Sequence, residues 1–166
     1  MPVPHFLNFL QVPRARRSIG AFFIWTGGIH VGILSADPTA YRHFADQALF
    51  SFVSRGWADV FMAQPRLWAG ALALGETVAG ILLLTRGRAV GIGWAATIVF
   101  HALLLLFGLG FWLWAVPALV VLSTLAWADR AEWRGTTPGR TRALPRHAYT
   151  TPRTRGGTPS APGRRA

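Results

Sequence analysis

Three side chains stand out because each is the one ionisable group in an otherwise apolar run: His30, Glu76 and His101. Ionisable groups in hydrocarbon are costly and turn toward protein or water, so all three should face a bundle interior. Three kinds of chemistry fit these types. A Glu76 carboxylate hydrogen-bonded to His30 or His101 would hold helices together. The same trio could relay a proton or hold a polar ligand, since desolvation and charge pairing move carboxyl and imidazole pKa values either way. Two histidines on separate helices could also reach one metal or haem, with Glu76 as a further ligand or a partner to one. No HxxxH or ExxH spacing points to that last case.

The elements that must position these residues are membrane spans. With 52% hydrophobic and 14% charged residues in 166, the chain is too apolar for a soluble domain. The fold class expected is all-α, a polytopic membrane four-helix bundle. Its membrane domain, residues 18–128, follows a basic segment at 1–17 and has spans at 18–35, 67–84, 89–107 and 111–128. The first is short against the roughly 20 residues a span needs, so it implies tilt or a thinned bilayer. Arg16-Arg17 before an apolar run, with small residues at Ser35 and Ala36, also fits a cleaved leader. Residues 89–128 carry no charge, long enough for two spans, with Gly108-Leu109-Gly110 as the hairpin between them.

Between the first two spans, residues 39–62 place Tyr41, Phe44, Ala45, Ala48, Leu49, Phe52 and Val53 at three- and four-residue spacing. Arg42, His43, Asp46 and Gln47 fall on the opposite side. That pattern predicts an amphipathic surface helix lying along the membrane or capping the bundle. Depth follows from the 1.5 Å rise per residue: Glu76 falls near mid-membrane and both histidines roughly 5 Å outward, so the three could meet. Gly28 and Gly32 in the first span, with Ala71, Gly75 and Ala79 in the second, form small-xxx-small faces expected to pack helix on helix.

Arginine sets the topology. Fourteen of the 17 arginines fall on the side of both termini and three on the other, which predicts both ends in the cytoplasm of a bacterial-type inner membrane. The net charge of +11 is thereby accounted for without nucleic acid, which is not expected as a partner. Residues 129–166, rich in Arg, Pro, Thr and Gly, predict a disordered cytoplasmic tail drawn to anionic lipid headgroups. Asp129 and Glu132 at its start read as solvated interface charges. The chain has no cysteine, so thiol relays, Cys-ligated zinc and iron–sulfur clusters are excluded.

The segment Leu74-Gly75-Glu76-Thr77-Val78-Ala79-Gly80-Ile81-Leu82-Leu83-Leu84, followed by a short basic turn and another apolar helix, resembles the DoxX-like family of four-helix membrane proteins. Trp25-Thr26-Gly27-Gly28-Ile29-His30 is similar to the small-residue and polar end of that family's first helix, with His30 where a basic residue such as Lys is expected. The likeness spans about residues 19–127. It implies a membrane subunit, tied in some members to quinone-linked sulfur oxidation or to a membrane oxidoreductase complex.

The function expected is therefore a small membrane subunit or accessory protein supporting a partner oxidoreductase through the His30/Glu76/His101 site, with a quinone or haem as the cofactor types to consider. A transport or channel component, made as a homo-oligomer because one bundle encloses little space, is the alternative from another class. A structural scaffold with a lipid-binding tail is the third. No Ser/His/Asp order or phosphate loop appears, so an independent enzyme of the soluble type is not expected.

Overall fold

A computed structural model describes residues 11–134 of the chain. Four helices in it are long and apolar enough to cross a membrane. They are α1 (Gln11–Ala36), α3 (Pro65–Leu84), α4 (Arg88–Leu104, tightened by a 3-10 turn at Leu105–Phe107) and α5 (Leu109–Ala128). No strand occurs among the described residues. Their outer faces are greasy: Leu113 is 86% and Leu109 70% exposed, with Leu74, Val120 and Trp127 also uncovered. A belt of that kind would aggregate in water but faces lipid in a bilayer, and the chain is a multi-pass membrane protein.

The first span is longer than its uncharged stretch. α1 is described from Gln11, so these 26 residues include Arg14, Arg16 and Arg17, and their length of about 39 Å needs no thinned bilayer. Reading only the uncharged stretch placed the helix start too late, because arginines can continue a helix and carry their charge to the interface. α1 runs antiparallel beside α3 at very short range. A methyl group on Gly20 would sit 2.8 Å from the Gly80 carbonyl oxygen, and one on Gly27 would sit 2.5 Å from Thr77 Oγ1.

That seam corrects the small-residue expectation. Gly28, Gly32 and Gly75 would meet nothing within 4 Å if given a Cβ, and Ala71 is exposed; within the bundle none of the four packs helix on helix. Ala79 alone of the five is buried. The working spacing on α1 is seven residues, Gly20 to Gly27 with buried Phe23 between, and the GxxxG pair lies one step around the helix from it.

We name the two ends of the bundle by their side chains. The basic end holds the start of α1, the α3–α4 turn at Gly87 (φ 66°) and the close of α5. There Leu83, Val90, Trp94 and Leu122 make a packed core, with Ile19, Ile98, Leu125 and Trp133 against it. Asp129 is buried rather than solvated: its Oδ2 accepts from Arg16 at 3.3 Å and from Trp94 Nε1 at 3.0 Å. The reason is the extra length of α1, which carries Arg16 to the end of α5. Glu132 lies, partly buried, in the short α6 (Arg130–Trp133).

The aromatic end is closed by the α1–α3 connection. It is not one amphipathic helix over 39–62 but a 3-10 turn (Pro38–Ala45), then α2 (Ser51–Gly56) running into a single π turn (Trp57–Phe61). Asp37 caps the first piece through the Thr39 amide at 2.8 Å. The break follows because Leu49 N–H donates to the Leu106 carbonyl at 3.1 Å, so the backbone bonds to α4 instead of to itself. The amphipathic side survives the break: Tyr41 and Ala45 are buried while Arg42, His43 and Asp46 are exposed. Gly108 (φ 98°) alone makes the α4–α5 turn, with Gly110 already inside α5. A side chain on Gly108 would collide with the Gln47 carbonyl, so this glycine lets cap and hairpin touch. Residues 1–10 and 135–166, with the lipid-seeking tail expected of the latter, lie outside the described residues.

Candidate functional site

Close approach of α1 and α3 sets the site. With glycine at the seam the backbones come near enough for His30, toward the aromatic end of α1, to reach Glu76 in mid-α3: Nε2 lies 3.5 Å from Oε1. Eleven residues beyond His30, the 3-10 turn drops Tyr41 onto the same imidazole. Its hydroxyl is 2.7 Å from Nδ1, and the two rings stack 5.7 Å apart at 23°. Trp57 Nε1 donates to the Tyr41 carbonyl at 2.8 Å, tying the two pieces of the cap together. The result is a continuous line, Tyr41 hydroxyl to His30 to Glu76, along which a proton can move because imidazole offers a donor and an acceptor on opposite edges. Burial, and after it the charge of Glu76, raises the Tyr41 pKa, so this end of the line keeps its proton at neutral pH.

His101 is held separately. Its Nδ1 lies 2.8 Å from the Thr97 carbonyl, one turn back on α4. Its ring meets the edge of Trp114 at 4.8 Å and touches Phe23 and Phe100. A carbonyl can only accept, so Nδ1 carries hydrogen and the neutral ring keeps its lone pair on Nε2.

His30, Tyr41, Glu76 and His101 border one cavity of about 620 Å³. Its walls are mostly aromatic and aliphatic, among them Phe22, Phe44, Leu72, Phe107 and Phe111, and its polar groups are Thr26, His30, Tyr41, Glu76 and His101, with the Trp57 and Trp114 indoles. An apolar cavity of several hundred Å³ with a few convergent polar groups is the usual form of a small-molecule site. Glu76 is 4% exposed, and its Oε2 is buried without a hydrogen-bond partner. A desolvated carboxyl oxygen left unpaired is expensive, and beside a cavity it marks the place a ligand group or water would satisfy.

The structure thus joins His30 to Glu76 and sets His101 on the same cavity, without a hydrogen bond between His101 and either of them among the described residues. Metal or haem ligation by the histidine pair fits poorly. Both ring nitrogens of His30 are engaged, by Tyr41 and by Glu76, and no three ligating side chains converge on one point among the described residues. Tyr41 was counted with the apolar stripe of the cap; the signal lay in its being the stripe's one hydroxyl, which must find a partner once buried. Thr97 and the aromatic box around His101 carried no local signal, since nothing in their own spacing sets them apart from ordinary span residues. No family model, curated protein or solved structure matches the chain.

Proposed function

We propose that this chain is a ligand-holding membrane subunit whose cavity takes a lipophilic molecule of the quinone class, serving a partner oxidoreductase in the membrane. The observation that carries the reading is the unpaired Glu76 Oε2 on an apolar cavity of about 620 Å³, backed by His30 and Tyr41. Aromatic walls suit a flat ring with an apolar tail, and the few polar groups suit its ring oxygens. When bound, such a ring supplies the redox chemistry, exchanging electrons with the partner. Glu76 hydrogen-bonds the ring oxygen and takes or returns its proton. His30 shares that proton through Oε1, and Tyr41 fixes the imidazole and shields it from water. The partner comes from the resemblance of residues 74–84 to the DoxX-like family, and the arginine asymmetry supports a bacterial-type inner membrane with both ends cytoplasmic.

Tryptophan fluorescence tests this, because Trp57 and Trp114 line the cavity. In lipid nanodiscs, a short-chain para-benzoquinone should quench emission to saturation. Leu72→Trp, which fills the cavity, should remove the saturable part while helical circular dichroism is kept. Quenching that rises without limit, or that the filled variant leaves intact, overturns the reading.

A further inference from the structure

The hydrogen-bonding sense of the Glu76 and His101 groups is one-sided. Consider Glu76 first. Oε1 faces His30 Nε2 at 3.5 Å, and a proton on that line rests on one or the other atom. If it rests on Nε2, Glu76 is a carboxylate; if on Oε1, Oε2 is a carbonyl oxygen. In both arrangements Oε2 presents lone pairs only. It is buried and has no donor among the described residues. Next, His101 directs Nδ1–H at the Thr97 carbonyl, so its neutral ring presents a lone pair at Nε2, and no donor reaches that nitrogen among the described residues. While the shared proton sits on Nε2, the Tyr41 hydroxyl donates to His30 Nδ1, and Thr26 Oγ1 donates to the Phe23 carbonyl at 3.0 Å. In that arrangement Oε2 and His101 Nε2 lack donors, and the Trp114 indole N–H is left as a lining donor without a hydrogen bond among the described residues.

We infer that the site selects a ring that donates hydrogen bonds, the hydroquinone or a related phenol, over the quinone that can only accept. This rests on the cavity being the ligand site and adds its redox preference. A hydroxyl entering the cavity gives Oε2, and with a second hydroxyl His101 Nε2, the donor each lacks. A quinone carbonyl sets lone pair against lone pair, leaving Oε2 buried and unpaired and His101 Nε2 without a donor. Sites built to bond a hydroxyl reject analogues without it strongly, because the buried group loses its partner altogether. Preferential binding of the reduced form also means that a bound ring is held in the state that has protons and electrons to give.

The test compares one short-chain para-benzoquinone, its hydroquinone and the dimethyl ether of that hydroquinone, by anaerobic calorimetry on the protein in nanodiscs. The hydroquinone should bind at least about tenfold more tightly than the other two, since one well-made hydrogen bond to a charged group is worth that much. Glu76→Gln, which offers a donor as well as an acceptor at nearly the same volume, should bring quinone and hydroquinone within about threefold. The ether comparison needs no variant, so it stands even if Glu76→Gln folds poorly. Equal binding of all three by the unaltered protein overturns the donor preference and leaves the cavity as a ligand site. Failure of all three to bind overturns both.

Discussion

The two ends of the bundle bury charge in opposite ways. At the basic end Asp129 is closed around by a positive partner, an indole N–H and a packed core, and it is absent from the cavity walls. At the aromatic end Glu76 has one oxygen engaged and one bare, beside open volume. Each end does leave one buried side-chain polar atom unpaired among the described residues, Arg16 Nε and Glu76 Oε2. Arg16 also has a terminal nitrogen bonded to Asp129, whereas Oε2 is where a cavity meets a carboxyl group. The lesson is that a buried charge alone does not mark function; the combination of an unmet acceptor with room for a partner does.

The largest effect should come from breaking the basic end. Asp129→Ala strands a buried guanidinium, and removing one member of such a pair costs about 3–5 kcal/mol, so thermal unfolding in detergent should show a large drop. Replacing Arg16 and Asp129 together by leucine should recover most of it, which double-variant melting would show. Recovery would mark this end as a staple. Ligand quenching per folded molecule should be unchanged in both.

Next in size is the seam. Gly27→Leu forces α1 away from Thr77 and the Ala73 carbonyl, at a cost of about 1–3 kcal/mol, and should separate His30 from Glu76 as well. Gly28→Leu, one residue on and facing open space, should stay within about 0.5 kcal/mol. Equal losses from the two substitutions would mean that the exposed glycine face packs against another chain.

A smaller change is expected at the cap. Tyr41→Phe removes one buried hydrogen bond, about 0.5–1.5 kcal/mol, and should weaken ligand binding without unfolding the bundle. The Tyr41 pKa stands above the ordinary 10.0, so its neutral form contributes fully below that pH and the contribution is lost as pH rises through the folded value. Tyrosinate absorbance, taken as the difference between the chain and Tyr41→Phe, should therefore titrate later than free tyrosine. Ligand affinity should fall over the same alkaline range.

Much of this architecture was legible from residues alone, and the reasons for the misses are physical. The four spans follow from uncharged length, and His30, Glu76 and His101 from the rarity of ionisable groups in such runs. Their depths allowed all three to meet; the fold joins His30 to Glu76 and sets His101 on the same cavity without a hydrogen bond to either among the described residues. Which glycines pack was not legible, because the GxxxG pair of α1, Gly28 and Gly32, lies on the open side while the seam uses Gly20 and Gly27, seven residues apart. Asp129 was misread because its burial depends on Arg16, 113 residues away, and on where α1 begins. Tyr41 looked apolar within its stripe, and only the fold reveals that its hydroxyl points at His30.

Infrared difference spectroscopy on adding hydroquinone to the protein in nanodiscs addresses the Glu76 site most directly, since it sees the carboxyl groups themselves. A carboxyl band should shift on binding, vanish in Glu76→Gln and persist when Arg16 and Asp129 are both leucine. Binding that leaves every Glu76-dependent band unmoved would contradict the assignment of Oε2 as the atom that meets the ligand.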